Sequence, residues 1–322
     1  MTYARIAGIG SYLPEKVLSN ADLEEMMDTS DEWIRERTGI KRRHIAADDE
    51  TTASIALNAA QRAMEMAGVT ADELDLIVVG TCTPDKVIPA AACIVQRRLG
   101  SVGCPAVDIN AACSGFIYGL DYANRYLRTG GGKTALVIGA ETLSRITNWD
   151  DRTTAVLFGD GAGAAVLQAS DKPGILATHI HSNGEYEDLL QTRNGVSLGF
   201  DASCTPGAYI EMNGNAVFKR AVATFDSMAR ETVADLDGHL EDIDWFIPHQ
   251  ANMRIITAAA KKLGMPMERV IATVDEHANT SAASIPLAMD LAVREGRIKR
   301  GDKILMAAFG AGFTWGSAML EF

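Results

Sequence analysis

The sequence resembles itself at an offset of about half its length, and this internal repeat constrains the fold more than any other feature. Residues 71–85 (ADELDLIVVGTCTPD) and 240–252 (LEDIDWFIPHQAN) each contain an acidic turn followed by a buried-strand pattern. The segments that follow match in the same order: 90–100 with 253–264, 101–115 with 266–284, and 116–141 with 285–310. The offset is about 165–169 residues in a chain of 322.

Both copies alternate strands with helices, which predicts right-handed βαβ crossovers and largely parallel sheets. The strand segments LDLIVVG, TALVIGA and KILMAAFG are continuous apolar runs, as expected where helices cover both faces of a sheet. We therefore predict two similar α/β halves, 1–169 and 170–322, that share one tight interface, because no Pro/Ser-rich linker separates them. The segment 182–213 breaks the periodicity and predicts an irregular insertion, where substrate contacts often lie.

Composition and charge exclude several classes of protein. Hydrophobic residues make up 47% and charged residues 22%, as in soluble globular proteins. No apolar run reaches the roughly 18 residues of a membrane span, and the N-terminus lacks a secretory pattern, so we expect a cytoplasmic protein without membrane association. A net charge of −12 argues against nucleic-acid binding. The five cysteines (82, 93, 104, 113 and 204) form no CxxC pair and HExxH is absent, which predicts reduced thiols and no metal site.

The repeat places three polar residues at comparable positions. Cys113, in NAACSGFIYG, lies at a strand-to-helix junction, Asn279 lies at the corresponding junction of the second copy, and His249 follows the strand DWFIP. Ligands gather at the carboxyl ends of strands in open α/β sheets, so the three residues are predicted to face one pocket. A helix N-terminus carries partial positive charge and favours thiolate, which predicts a nucleophilic Cys113.

Each of these residues has a structural alternative when taken alone. A free cysteine is often packed as a small hydrophobe, Asn279 could be a helix cap, and His249 could cap a strand or helix while His277 competes with it. The glycine-rich stretch 158–167 (FGDGAGAAVL) and the Gly8/Gly10 pair lack GxGxxG spacing, so we interpret both as turns or places of close backbone approach.

Several longer stretches carry a family resemblance together with the cysteine motif. They are TSDEWIRERTGIKRRHIA (29–46), DRTTAVLFGDGAGA (151–164), IPHQANMRII (247–256), NTSAAS (279–284) and FGAGFTWGSAML (309–320). Over essentially its whole length the chain resembles the β-ketoacyl-acyl-carrier-protein synthase III family, the initiating condensing enzymes of type II fatty acid synthesis. The resemblance implies a homodimer with a thiolase-like fold, in which two pseudo-repeated βαβ halves form a layered αβαβα arrangement.

The resemblance also implies a two-stage reaction. Cys113 would attack an acyl-CoA thioester and hold the acyl group. Malonyl-acyl carrier protein would then lose carbon dioxide and attack the acyl-cysteine. His249 and Asn279 match the family positions that donate hydrogen bonds to the malonyl thioester oxygen, and the backbone N–H groups of Cys113 and Ala311 match an oxyanion hole. Acyl-CoA is a substrate in this scheme, so no cofactor is implied.

The resemblance assigns binding residues in the same way. Trp33 and Arg152 would stack on the adenine of CoA, Arg37 would hold the nucleotide end, and Asn215 and Asn252 would lie near the pantetheine arm. The family's carrier protein is acidic, and a basic cluster near the expected tunnel mouth would dock it. That cluster comprises Lys219, Arg220, Arg254, Lys261 and Lys262. Solvated helix faces explain the individual lysines equally well.

Three positions depart from the common family pattern. Ile88 stands where a Phe usually closes the acyl pocket from across the dimer, which predicts acceptance of primers longer than acetyl, medium or branched. Ala311 replaces a glycine and can still donate its N–H if its φ is negative. Ala278 replaces the glycine before Asn279 and is expected to restrict that turn slightly.

Three rival functions fit parts of the same pattern. Papain-like proteases also order Cys, His and Asn, at a Cys-to-His spacing of roughly 130–150 residues that residues 113 and 249 satisfy. Their cysteine is near the mature N-terminus, whereas Cys113 is in mid-chain within a repeat. A nearer rival is a synthase III homologue of a specialised polyketide- or quinolone-type pathway. A non-catalytic binding homologue is disfavoured because all three polar residues are present.

Overall fold

The computed structural model describes residues 2–192, 195–198, 209–236 and 238–322, so Cys204 lies outside the described residues. The strands in these ranges are β1 Tyr3–Tyr12, β2 Lys16–Ser19, β3 Arg42–Ile45, β4 Leu76–Gly80, β5 Ala106–Ile109, β6 Thr134–Thr142, β7 Asp160–Ser170, β8 Ile175–Ser182, β9 Leu190–Thr192, β10 Ile210–Met212, β11 Trp245–Pro248, β12 Lys303–Gly310 and β13 Thr314–Glu321. The α-helices are α1 Asn20–Met26, α2 Asp31–Thr38, α3 Thr52–Ala67, α4 Ala91–Leu99, α5 Gly115–Arg128, α6 Arg152–Ala155, α7 Gly214–Ala234, α8 Met253–Leu263, α9 Val274–His277 and α10 Ser284–Arg294.

Two main sheets repeat the same strand order. In the first, β1-β7-β6-β4-β5, strand β4 is parallel to β5 and β6, and β7 is antiparallel to β6 and β1. The second sheet is β11-β12-β13-β8, with β11 parallel to β12, and β13 antiparallel to its two neighbours. A parallel bridge between Phe246 and Val270 stands where a fifth strand equivalent to β5 would lie. The sheets occupy residues 3–170 and 175–321. The halves 1–169 and 170–322 stay a prediction, which this division supports.

Helices separate and cover the two sheets. α3 and α4 pack on the outer face of the first sheet, α5 and α10 pack between the sheets, and α7 and α8 cover the second. The predicted αβαβα layering is therefore confirmed. The apolar runs of β4 and β6 are buried throughout because α3 and α5 cover opposite faces of their sheet.

The glycine-rich stretch at 158–167 forms most of strand β7 instead of a turn. A Cβ added at Gly163 would lie 2.7 Å from the backbone nitrogen of Leu287 in α10, and one at Gly10 would lie 2.6 Å from the carbonyl oxygen of Ala59 in α3. The predicted close backbone approach is confirmed at both places. The alternative interpretation of this stretch as a turn is wrong, because β7 pairs on both sides, with β1 and with β6.

The described part of segment 182–213 has more regular structure than we expected. It contains a 3₁₀ segment over Gly184–Leu189 and the antiparallel pair β9–β10, in which Thr192 pairs with Ile210. Within the described residues, Cys82, Cys93, Cys104 and Cys113 are free. No helix in the part of the chain described is long and apolar enough to cross a membrane.

Candidate active site

Cys113 lies in a tight turn that the internal repeat duplicates. After β5 the chain forms a 3₁₀ turn, Ala112–Ser114, and enters α5. The second half has the same turn over Ser281–Ala283 before α10. Ala112 and Ser281 open the two turns with φ of 45° and 48°, a left-handed conformation that costs an L-residue about 1–3 kcal/mol. The turns pack together, since a Cβ at Gly115 would lie 3.3 Å from the Cβ of Ala282. This packing holds the strained backbone beside Cys113.

Two cavities meet at Cys113. The outer cavity, of about 300 Å³, is lined by Cys113, His249 and Asn279 and also by the half-buried Trp33 and exposed Arg37. The inner cavity, of about 220 Å³, shares Cys113 and has a largely apolar wall that includes Leu143, Ile146, Phe158, Leu190 and Ile210. The structure thus brings the three predicted polar residues to one cavity, and a second, largely apolar cavity shares Cys113 with it.

His249 follows β11 and is buried, 2% exposed. Its backbone N–H donates to the Ala307 carbonyl, and its Nδ1 lies 2.7 Å from Ser284 Oγ. Ser284 Oγ accepts the Gln250 N–H, so its own proton is available for Nδ1, and the ring then presents Nε2–H as a donor. Burial lowers the pKa of His249 to about 3, so the ring is neutral at physiological pH. His277 is also buried but lines neither cavity, and burial lowers its pKa to about 4.

Asn279 is fixed through its backbone and its side-chain oxygen. Its N–H donates to the Leu157 carbonyl at 2.9 Å, its carbonyl accepts the Gly159 N–H at 3.0 Å, and its Oδ1 accepts the Ser281 N–H at 2.9 Å. Because Oδ1 is engaged in the turn, the side-chain NH₂ is the end left to face the cavity.

Ala278, just before Asn279, has φ 57° and ψ −162°, a conformation adopted almost only by glycine. The conformational restriction at Ala278 is therefore larger than the slight one we expected.

We predict that Ala278→Gly leaves the free energy of unfolding within about 0.5 kcal/mol of wild type, because relief of strain offsets the lost methyl group and the greater chain entropy. Ala288→Gly, at an equally buried position of α10, should cost about 1.5–2 kcal/mol. Urea unfolding checks both, and equal losses would contradict the strain.

The Cys113 thiol requires a correction to the sequence-based expectation. Cys113 is half-buried, and burial raises the pKa of its thiol to about 12, opposed by hydrogen bonds from Ser281 and the Cys113 backbone and helped by the nearby Glu141 carboxylate. Desolvation thus outweighs the hydrogen bonds that favour the thiolate. Cys113 is therefore a thiol at physiological pH, and attack on a substrate requires a proton acceptor.

Glu141, near the end of β6, is a buried acid that our sequence reasoning missed. Its carboxylate accepts hydrogen bonds from Thr81, Cys82, Thr83 and Ser281. Burial raises its pKa. The available signal was an acidic residue inside the otherwise apolar strand TALVIGAET.

The expected CoA residues line the same outer cavity, apart from Arg152, whose neighbour Thr153 does. Asn215 lies in the first turn of α7, and Asn252 caps α8 by accepting the Ile255 N–H at 2.9 Å. Arg37 and Arg152 lie over the Trp33 ring, at 5.0 and 5.2 Å from its centroid. An adenine between Trp33 and Arg152 would require about 7 Å. Arg152 itself covers the Trp33 ring, so the gap between them is too narrow for the expected adenine.

Comparison with known proteins identifies the family. Family models described as 3-oxoacyl-[acyl-carrier-protein] synthase III and as its C-terminal part match residues 107–184 and 234–322, together just over half of the chain. The chain is 59% identical over 322 residues to the β-ketoacyl-[acyl-carrier-protein] synthase III of Thioalkalivibrio sulfidiphilus, with 100% of both chains covered.

The chain belongs to the 3-oxoacyl-[acyl-carrier-protein] synthase III family.

Further relatives agree with this membership. A β-ketoacyl-[acyl-carrier-protein] synthase III of Xanthomonas campestris is 60% identical, covering 99% of this chain and 98% of its own. The crystal structure of the Aquifex aeolicus 3-oxoacyl-[acyl-carrier-protein] synthase III superposes with a TM-score of 0.93 at 47% identity, covering 99% of this chain and 100% of that one. The expected thiolase-like fold and the enzyme class, a condensing acyltransferase, are confirmed.

Two of the positions that depart from the synthase III pattern are now located. Ile88 is 83% exposed and lines neither cavity of its own chain, next to Val87 at 66%. Ala311 lines the inner cavity with Cys113 and is not among the described residues with positive φ, which meets the condition for donating its N–H. A Cβ at the neighbouring Gly310 would lie 2.7 Å from the Cys113 nitrogen, so glycine keeps that amide accessible.

The five basic residues predicted for carrier docking are exposed on the neighbouring helices α7 and α8. Arg254 lines the outer cavity, at the start of α8. Lys261 and Lys262 lie about 10–12 Å farther along the same helix. Arg220 stacks on Tyr186 with its guanidinium 4.1 Å from the ring centroid. Arg254 is thus the member nearest the reacting groups.

Proposed function

We propose that this enzyme condenses an acyl-CoA primer with malonyl-acyl carrier protein, with loss of carbon dioxide, to start fatty acid synthesis through an acyl-Cys113 intermediate. The observation that carries the proposal is the position of Cys113 between the two cavities. The outer cavity offers aromatic and cationic groups that suit a nucleotide, and the inner one offers apolar walls that suit an acyl chain.

In the first half-reaction Cys113 attacks the primer thioester and the CoA thiolate leaves. The tetrahedral oxyanion is bound by the N–H groups of Cys113 and Ala311, since the Gly310 backbone leaves the Cys113 amide open. CoA enters along the outer cavity past Asn252 and Asn215. Arg152 moves away from Trp33 to admit the adenine, exchanging one stacking contact for another.

In the second half-reaction malonyl-acyl carrier protein loses carbon dioxide, and its carbanion attacks acyl-Cys113. Negative charge develops on the malonyl thioester oxygen. His249 Nε2–H and the Asn279 NH₂ are neutral donors held by Ser284 and Ser281, so they bind this oxygen without reorganising. The low pKa of His249 suits this role, because a neutral ring donates a hydrogen bond without acting as an acid.

The carrier protein and a second copy of the chain are the proposed partners. In an enzyme of net charge −12, a local basic face on α7 and α8 would select the docking side of an acidic carrier, with Arg254 closest to the cavity. The exposed Val87–Ile88 apolar pair supports a homodimer in which Ile88 closes the inner cavity of the partner. A cytoplasmic location is proposed with this pathway.

The inner cavity and Ile88 together support primers longer than acetyl. At about 220 Å³ the cavity is several times the roughly 30 Å³ share of one water, so it has room beyond a two-carbon unit. The runner-up function is a starter enzyme of a specialised pathway. This alternative is supported by the structural similarity to the priming β-ketosynthase of the R1128 polyketide pathway. That protein is 36% identical, with a TM-score of 0.95, and the match covers 99% of this chain and 96% of that one.

A primer-length profile with malonyl-acyl carrier protein tests the function. We expect medium or branched acyl-CoA to react faster than acetyl-CoA. Ile88→Phe should shift the preference toward acetyl-CoA by about four-fold per methylene excluded, because each buried CH₂ contributes about 0.8 kcal/mol. Leu291→Phe, a partly exposed position on α10, is the matched control and should leave the profile unchanged. Strict acetyl preference in the wild type would refute the longer primer, and no product from any acyl-CoA would refute the function.

A further inference from the structure

Glu141 is a fully buried carboxylate close to the nucleophile, with no cationic partner among the described residues. Its side chain is 0% exposed and accepts from Thr83 Oγ1 at 2.6 Å, Thr81 Oγ1 at 3.2 Å and both the N–H and thiol of Cys82. Removing a carboxylate from water without a cation costs several kcal/mol. The donors are divided between the two carboxylate oxygens, with Ser281 on Oε1 and Thr81 and Thr83 on Oε2, so the side chain is held at both oxygens.

Ser281 links this carboxylate to the cavity that holds the nucleophile. Its hydroxyl donates to Glu141 Oε1 at 3.1 Å, and Ser281 lines the inner cavity together with Cys113. A hydroxyl has one proton and two lone pairs. Because that proton points at Glu141, the lone pairs are left to accept the Cys113 S–H, which gives a route from thiol to hydroxyl to carboxylate.

Acyl transfer to Cys113 requires a group that accepts the thiol proton. Cys113 is stored as a thiol, and the other base in the outer cavity is poorly suited to take its proton. His249 is neutral and buried, its Nδ1 is engaged by Ser284, and its free N–H is used to stabilise negative charge. Glu141 is hydrogen-bonded to Ser281 in the inner cavity and does not compete for that N–H.

We propose that Glu141 accepts the thiol proton of Cys113 through Ser281 during acyl transfer and returns it during condensation. This inference rests on the acyl-Cys113 intermediate of the proposed function. In acyl transfer the S–H proton passes to Ser281 as the hydroxyl proton passes to Glu141, the S–C(acyl) bond forms and the C–S(CoA) bond breaks. The CoA thiolate is protonated by solvent.

The second half-reaction closes the proton balance. When the carbanion attacks acyl-Cys113, the S–C(acyl) bond breaks and a Cys113 thiolate is released. Protonated Glu141 returns its proton through Ser281, which restores the thiol and the carboxylate. One proton is taken from solvent per turnover, as the overall exchange of malonyl carboxylate for carbon dioxide and free CoA thiol requires.

Glu141 acts through Ser281 and does not touch the substrate, so it is a positioning and proton-accepting residue. The Ser281 N–H also holds Asn279 Oδ1, so a purely structural role of Glu141 would disturb both half-reactions. The proton path instead predicts a defect confined to the first. This difference separates the two roles.

The test compares the two half-reactions in Glu141→Gln. Rapid-quench release of CoA from acyl-CoA alone measures acylation, and we expect the rate to fall about 100-fold or more, in the range of general acid–base catalysis. In a Cys113→Gln background, whose amide stands in for the acyl thioester, adding Glu141→Gln should change malonyl-acyl carrier protein decarboxylation by less than about 3-fold. Glu141→Asp, which keeps the acid, should recover acylation to within about 10-fold of wild type, and Ser281→Ala should reproduce the acylation defect.

Asp160 on β7 provides a matched control. It is another fully buried carboxylate, held by the Ala46 N–H and by Ser144, in the strand beside β6. Asp160→Asn should keep the acylation rate within about 3-fold of wild type. Equal slowing of acylation and decarboxylation by Glu141→Gln, or unchanged acylation, would overturn the inference. If Glu141→Gln fails to fold, Glu141→Asp and Ser281→Ala decide it. Absence of acylation in the wild type would instead refute the proposed function.

Discussion

Replacing Cys113 with alanine is expected to abolish the acyl-enzyme and to reduce condensation by at least about 10,000-fold. The reason is chemical, since among the described residues that line both cavities, Cys113, Phe158 and Leu190, only the thiol can form the covalent intermediate that the proposed reaction requires. Intact-mass spectrometry after incubation with acyl-CoA should show an acyl mass gain in the wild type and none in Cys113→Ala. A product assay with malonyl-acyl carrier protein measures the loss of turnover.

The control for this experiment is a second cysteine away from the cavities. Cys93 lies in α4 and is a free, partly buried thiol, so Cys93→Ala should keep both the mass gain and the turnover. Cys82 is unsuitable as a control, because it lines the inner cavity and contacts Glu141. An acyl adduct that persists in Cys113→Ala would show that another residue is the nucleophile.

Replacing Asn279 with alanine is expected to slow condensation by about 100- to 1,000-fold while acylation remains within about 10-fold of wild type. One donor to a developing oxyanion contributes about 2.7–4 kcal/mol, and this donor is needed only when the malonyl thioester becomes an enolate. Decarboxylation of malonyl-acyl carrier protein and rapid-quench acylation measure the two steps separately.

Asn279→Asp is the matched variant, because it keeps the oxygen that accepts the Ser281 N–H and removes the NH₂ donor. It should slow condensation at least as much as Asn279→Ala, since it also places negative charge beside the enolate. Combining Asn279→Ala with His249→Ala should cost less than the two single losses together, because both donate to one oxygen. If Asn279→Asp condensed at the wild-type rate, the turn geometry and not the donor would be the important feature.

The reactive residues could be predicted because the features that locate them are local in the chain. Cys113 follows β5 of the first sheet and His249 follows β11 of the second, and the alternation of strands and helices along the chain already places each at the carboxyl end of a strand. Glu141 could not be assigned this way. Its partner Ser281 is 140 residues away, and the pairing depends on how the two repeated turns pack between the sheets.

The repeat, the strand and helix periods and the family motifs were readable from the residues alone, because periodicity and turn chemistry act over a few neighbouring positions. Protonation and access depended on the packed chain. Cys113 is a thiol because groups from distant segments remove it from water, and Arg152 covers Trp33 because α2 and α6 meet in space. Ala278 shows both the local and the tertiary contribution. The sequence shows an alanine where the family has glycine, but only the folded backbone, with φ at 57°, shows that the methyl group strains this position. Solvation and backbone strain are properties of the whole folded site, so no local pattern specifies them.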